Sequence, residues 1–193
     1  AVEMAKALRR ELERAGVEII VDAPHTDEDE IKRSMHGSGL DTAAMAEALA
    51  EQKARSVTRR HAGVPVVGAD QILECDGRIF NKPCDLDTAR AQLQTLAARR
   101  HDLVSAVCII QDGERLWHTV DRAQLWMRPL GKEFIEGYLR AVGDAAFAGP
   151  GSYQVERLGA QLFQHIVGDH FTILGLPLLP LLDFLRARGV LVA

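Results

Sequence analysis

The chain has 193 residues, 47% hydrophobic and 26% charged, the balance of an ordinary globular protein that fits one domain. A formal net charge of −4 argues against a nucleic-acid polymer as partner, because no basic surface would hold it, yet leaves room for a local basic pocket that takes a nucleotide. Cys75, Cys84 and Cys108 are not in CxxC spacing and read as free thiols of a reducing cytoplasm. With no signal-peptide pattern and no uninterrupted apolar span, the expectation is a cytoplasmic protein without a membrane partner.

Met4 to Ala15 predicts an amphipathic helix, with Met4, Ala7, Leu8, Leu12 and Ala15 at helical spacing and Gly16 as its stop. Val17 to Val21 predicts a short strand. The acidic run Asp27-Glu28-Asp29-Glu30 follows. Such runs are usually solvated faces or helix starts. The functional reading is that Glu28 supplies a hard oxygen to a divalent metal such as Mg²⁺ beside phosphates. Gly37-Ser38-Gly39 is a loop, and Asp41 is a good N-cap for a helix running to about Arg60. Glu51 and Lys53 in that helix are two apart, so they point to different faces.

Val64-Pro-Val-Val-Gly-Ala-Asp-Gln71 is the stretch around which the rest is arranged. Its β-branched residues suit a buried strand, and Gly68 and Ala69 leave room for a close approach. Asp70 is expected at the C-terminal end of that strand, where open α/β sheets place ligands. The alternative is a solvated aspartate opening a turn. Asp76-Gly77 is a hairpin signal that brings Asn81-Lys82-Pro83 back past the same strand end. A carboxylate and a lysine so placed make a metal and phosphate site. Asp85 to Leu96 predicts a helix; His101 to Gln111 and Glu114 to Met127 predict a hairpin about Asp112-Gly113. Trp117 and Trp126 fall in its return strand, where packing is the expected role. Lys132 to Val142 predicts a helix, Gly149 to Ser152 an irregular loop, Gln161 to Ile166 a strand, and Leu176 to Arg188 the closing helix. Alternating strands and helices, interrupted by two hairpins, predict an α/β fold with a mixed β-sheet in a single domain over residues 1–193.

Glu51-Gln52-Lys53-Ala54, Gly68-Ala69-Asp70-Gln71, Asn81-Lys82-Pro83, Tyr153-Gln154-Val155-Glu156-Arg157-Leu158-Gly159 and Gly175-Leu176-Pro177-Leu178 occur in that order. Together they resemble the Maf-like nucleotide pyrophosphatases. The resemblance implies an elongated α/β fold with two lobes around a central cleft, similar to inosine triphosphate pyrophosphatases. It implies Mg²⁺- or Mn²⁺-dependent hydrolysis of a nucleoside triphosphate to the monophosphate and pyrophosphate. Asp70 matches the family's general base, Lys53 and Lys82 its phosphate-binding lysines, and Glu28 its acidic residue after the second strand. Asp70 and Glu28 are thereby the expected metal ligands. A homodimer is among the compatible assemblies.

The family opens with a strand ending in Ser-x-Ser-x-x-Arg. Counted back from Gly16, the second serine falls at Ala5 and the arginine at Leu8, with Arg9 one residue off as the candidate phosphate ligand. Either the chain is a truncated or variant member, or that strand lies outside this sequence. Gln71 and Glu156 resemble the 7-methyl-GTP pyrophosphatase branch, which implies that both bind substrate and that a modified or non-standard base is recognised. Arg157 stands where that branch usually has Gly. The competing reading is a catalytically weak nucleotide-binding regulator linked to cell division.

Overall fold

The computed structural model describes residues 2–22 and 41–192. Among them the helices are α1 (Val2–Arg14), α2 (Thr42–Thr58), α3 (Leu86–Leu96), α4 (Lys132–Val142), α5 (His170–Ile173) and α6 (Leu178–Ala187). The strands are β1 (Val66–Cys75), β2 (Arg78–Phe80), β3 (Arg100–Gln111), β4 (Glu114–Met127) and β5 (Phe163–Val167). They form one sheet in the order β2-β1-β3-β4-β5. The α/β class expected from the sequence is the class observed. No helix among the described residues is long and apolar enough to cross a membrane.

By internal contacts the chain divides into two units, Ala1–Gln71 with Val104–Asp121 and Asp169–Ala193, and Ile72–Leu103 with Arg122–Gly168. The boundaries fall within β1, β3 and β4 and just after β5.

In the first unit, α1 stops in a Schellman closure. Gly16 takes φ +81°, its N–H bonds the Glu13 carbonyl, and the Val17 N–H bonds the Leu12 carbonyl. Leu12 and Val17 then enter a buried cluster with Ala69, Val107, Ile109, Leu176, Leu181 and Leu185. Asp41 caps α2, its Oδ1 accepting the Ala44 N–H at 2.8 Å. The turn at Asp112-Gly113 has φ +49° and +86°, the left-handed pair that a two-residue hairpin requires. Trp117 of its return strand stacks on Phe184 with centroids 5.3 Å apart, a packing role as expected.

In the second unit, Asp76-Gly77 makes the same kind of turn (φ +51° and +76°), and β2 pairs antiparallel with β1, Leu73 opposite Phe80. Asp85 caps α3 through the Thr88 N–H at 2.7 Å. Arg90 of α3 grips Glu136 of α4. β5 pairs antiparallel with β4, and Trp126 packs on His165.

Three local expectations are corrected. Val17 to Val21 is not a strand; Val17 is spent on closing α1, and no ladder partner occurs among the described residues. Asp70 lies mid-strand rather than at a strand end, because the buried pair Ile72 and Leu73 carries β1 on to Cys75. Gly168-Asp169-His170, whose composition predicts a turn, is more than that. Asp169 Oδ1 accepts the N–H groups of Phe171 and Thr172 and starts the single-turn helix α5.

The contact that sets α2 against β1 is at Gly68. A Cβ there would lie 2.2 Å from the Ala50 carbonyl oxygen and 2.8 Å from the Ala54 Cβ. Helix backbone and strand backbone touch because neither side has bulk. Gly68→Ala is therefore expected to lower stability by about 1–3 kcal/mol, the usual cost of overpacking, read as a lower urea midpoint. An unchanged midpoint would show that α2 lifts from β1 freely.

Candidate active site

The Gly68–Ala54 approach decides what α2 presents to β1. Lys53, one residue before Ala54, places its Nζ 2.5 Å from Asp70 Oδ1. The side chains are 11% and 3% exposed, so the pair is largely withdrawn from water. Glu51 points the other way and accepts from Arg55 at 2.7 Å and Arg115 at 2.9 Å, tying α2 to β4. The different faces expected for Glu51 and Lys53 thus have different work.

Gln71 follows Asp70 on the opposite face of β1. Its Nε2 donates to Ser105 Oγ (2.9 Å) and to the carbonyls of Thr172 (2.9 Å) and Ile173 (3.1 Å). Ser105 Oγ also donates to Thr172 O, and Thr172 Oγ1 donates to Asp121 Oδ2 at 2.6 Å. The amide donors of Gln71 are thereby committed to protein oxygens.

Lys53 and Arg9 both line a cavity of about 440 Å³ within the first unit. Its walls are mostly apolar, from Leu8, Leu12, Val66 and Ala69 among others, with Asp22 and His61 at the polar side. Arg9 is half exposed and pairs with Glu13 at 2.7 Å. Asp22 accepts from Arg60 Nε and faces His61 Nε2, each at 2.9 Å. The Arg60 and His61 hydrogen bonds hold its carboxyl below the usual aspartate range.

In the second unit, Lys82 is exposed in the segment that follows β2. Glu156 is exposed on the turn between Tyr153 and Gly159. That turn closes tightly: the Arg157 N–H bonds the Gln154 carbonyl, and a Cβ at Gly159 would sit 2.4 Å from the same oxygen. Its root is buried. Tyr153 OH meets His101 Nε2 at 2.8 Å, Tyr138 OH donates to the Ser152 carbonyl, and the Gly151 N–H donates to Gln92 Oε1 at 2.8 Å. His101 also touches the ring of Phe163. Burial pushes its imidazole down to about 4, against a weaker upward pull from Asp102. Glu28 lies outside the described residues. Among the described residues no group of three or more His, Cys, Asp or Glu is placed to hold a metal ion.

A family profile described as Maf-like protein matches residues 7–188. The chain belongs to the Maf-like family. It is 49% identical over 186 residues to a protein of Paramagnetospirillum magneticum named nucleoside triphosphate pyrophosphatase, covering 96% of each chain. A protein of the same name from Hyphomonas neptunium is 44% identical, with 97% of this chain and 94% of that one covered. One from Nitrobacter winogradskyi is 51% identical, with 86% and 81% covered.

The Maf-like motifs divide between the units. Lys53, Asp70 and Gln71 come together in the first, with Arg9 on the wall of the cavity that Lys53 lines. Lys82 and Glu156 both belong to the second. Sequence reading missed Asp22, His101 and Gln92. Nothing in the pattern marks Asp22. His101 opens a run of buried strand residues, and Gln92 interrupts the inward stripe Ala89, Leu93 and Leu96 of α3. A polar residue in an apolar stripe was the available signal.

The buried His101 makes the fold acid-sensitive. Its folded pKa of about 4 lies below the unfolded value of about 6.5. The unfolded chain therefore binds the proton first, and stability present above about pH 6.5 is lost as pH falls toward 4, by at most about 3 kcal/mol. Urea unfolding between pH 5 and 7 should show stability rising with pH in the native protein, with a flatter dependence in His101→Gln. Equal slopes would mean that His101 is not buried neutral.

Proposed function

We propose that this protein hydrolyses a nucleoside triphosphate to the nucleoside monophosphate and pyrophosphate. The observation that carries the reading is the buried Lys53–Asp70 pair, formed by two of the family motifs in a chain similar over nearly its whole length to proteins named for that activity. That likeness speaks for an enzyme over a regulator that only binds nucleotide.

The chemistry required is attack of water at the α-phosphorus with pyrophosphate as leaving group. A water must be positioned and deprotonated, and negative charge on the phosphate oxygens must be offset. Asp70 is proposed as the base that takes the proton from water. A carboxylate alone would repel an incoming polyanion; the Lys53 ammonium beside it neutralises that charge and supplies a cation for phosphate oxygens. Lys82, and Arg9 after leaving Glu13, are proposed as further phosphate contacts acting as fixed positive charges. The donor set is compatible with Mg²⁺ or Mn²⁺, which is commonly held by one or two carboxylates together with substrate phosphates. Asp70 and Glu28 would hold it, and it would supply further charge neutralisation and a more acidic water. We place the reaction in the cytoplasm.

The relatives' names leave the base unspecified. Glu156 is proposed to read it. A glutamate accepts two hydrogen bonds, which fits the N1–H and N2–H₂ donors of a guanine edge, including a modified guanine. Uracil and thymine offer one N–H between two carbonyls. An unmatched acceptor costs about 1–3 kcal/mol, roughly 5- to 150-fold in selectivity. Gln71 is proposed to reach substrate through Oε1, since Nε2 is engaged.

Three measurements test the reading. Pyrophosphate release should cease in EDTA and return with Mg²⁺ or Mn²⁺; full activity in chelator would remove the metal. Asp70→Asn keeps shape but cannot take a proton, and should lower kcat by about 10²- to 10⁴-fold. Glu156→Gln should instead narrow the preference for guanine over pyrimidine triphosphates with little change in the pyrimidine rate. Wild-type turnover in Asp70→Asn would refute the mechanism, and an unchanged base ranking in Glu156→Gln would refute the recognition role.

A further inference from the structure

Within the second unit, the segment carrying Lys82 and the turn carrying Glu156 are far apart in sequence, and neither is part of a strand or long helix. Both are held by one side chain. Gln92 of α3, 8% exposed, donates from Nε2 to the Asn81 carbonyl at 2.8 Å and accepts the Gly151 N–H on Oε1 at 2.8 Å. Asn81 immediately precedes Lys82. Gly151 opens the stretch that leads through Tyr153 to Glu156.

The Gly151 end needs such a clamp. Gly151 and Ser152 are both left-handed, with φ +80° and +60°. For a serine that conformation is strained and persists only where the surroundings over-determine it. A Cβ at Gly151 would lie 2.6 Å from the Tyr153 ring and 2.8 Å from Leu73 Cδ1, so the turn has one way to sit. The bonds from Gln92 to Gly151 and from Tyr138 to the Ser152 carbonyl are what the surroundings supply.

We propose that Gln92 is a positioning residue that couples the phosphate-lysine segment to the base-reading turn, so that Lys82 and Glu156 are held at a fixed separation. The inference rests on the proposed function in taking those two residues as substrate contacts. Gln92 itself touches neither phosphate nor base. The two ends of its amide are distinct: the donor serves Lys82 and the acceptor serves Glu156.

Two variants separate the ends. Gln92→Met keeps the volume and removes both bonds. Gln92→Glu keeps the acceptor for Gly151 and loses the donor for Asn81. Amide hydrogen exchange on the full chain is the first readout, since it needs no activity. Gln92→Met should speed exchange in residues 81–85 and 151–159 together, and Gln92→Glu in 81–85 alone. Native exchange in either segment of Gln92→Met overturns the coupling. Kinetics on a panel of triphosphates is the second readout. Gln92→Met should lower kcat/KM by up to about 10²-fold and flatten the base ranking, whereas Gln92→Glu should lower kcat for every triphosphate and keep the ranking. The base ranking, a ratio between substrates for one protein, does not depend on how much of that protein is folded, so a purely structural role leaves it unmoved. Native kinetics in Gln92→Met despite loosened segments overturns the positioning role. A native protein that turns over no triphosphate would refute the proposed function, and the exchange result would still decide the coupling.

Discussion

A lysine ammonium and an aspartate carboxylate in contact, each largely cut off from water, set how α2 lies on β1. Withdrawing two such charges costs several kcal/mol per ion, and their attraction offsets this only where the geometry is good. The Nζ–Oδ1 distance of 2.5 Å therefore requires that α2 and β1 sit in one relation. A one-residue slip of β1 would turn Asp70 to the other face and break its contact with Lys53. Ala50 and Ala54 on the helix and Gly68 on the strand enforce the relation by leaving no bulk between the backbones. The small residues of two motifs are thus the means by which the charged residues of the same motifs meet.

The second unit solves a similar problem with neutral groups. His101 is kept neutral by burial and meets a tyrosine hydroxyl, Tyr138 holds a backbone carbonyl, and Gln92 holds one backbone acceptor and one backbone donor. No ion is buried among these bonds. Lys82 and Glu156, the charged residues of this unit's motifs, stay exposed, so the charges remain in water while their supports are dry. Hydrogen bonds in a low-dielectric interior are strong, which suits a turn whose own backbone is strained at Ser152, even though His101 Nδ1 and Ser152 Oγ are buried without a hydrogen-bond partner among the described residues.

Much of this was legible beforehand. Apolar periodicity placed α2 and α3, with Asp41 acting as the expected cap. The Asp-Gly pairs marked both hairpins, because left-handed φ at two successive residues is a local property of the chain. The meeting of Lys53 with Asp70 was not legible from spacing; the resemblance to a family named both residues, but their contact depends on the tertiary approach at Gly68. Asp70's place within its strand was misread because Gly68 and Ala69 look like the end of a strand when they are its point of closest packing. Val17 to Val21 has strand composition, but composition cannot supply a neighbouring strand, and Val17 was needed to close α1.

Gln71 and Gln92 show one rule acting in both units. Each sits at an inward position and directs its amide at backbone groups of a segment without a ladder partner: Thr172 and Ile173 for Gln71, Asn81 and Gly151 for Gln92. Backbone N–H and C=O groups must be matched wherever water is excluded. Strands and helix interiors match their own, whereas turns and helix ends, such as Thr172 and Ile173 at the close of α5, need other partners. A leucine at position 92 would add apolar burial and leave the Asn81 carbonyl and the Gly151 N–H without this partner, at about 1–3 kcal/mol each. Gln92 is therefore explained by the segments it serves: Asn81 belongs to one of the motifs that mark the chain as Maf-like, and Gly151 lies two residues before another. At position 92, burial within the unit and the course of the two motif segments are not separate demands; the same two bonds serve both.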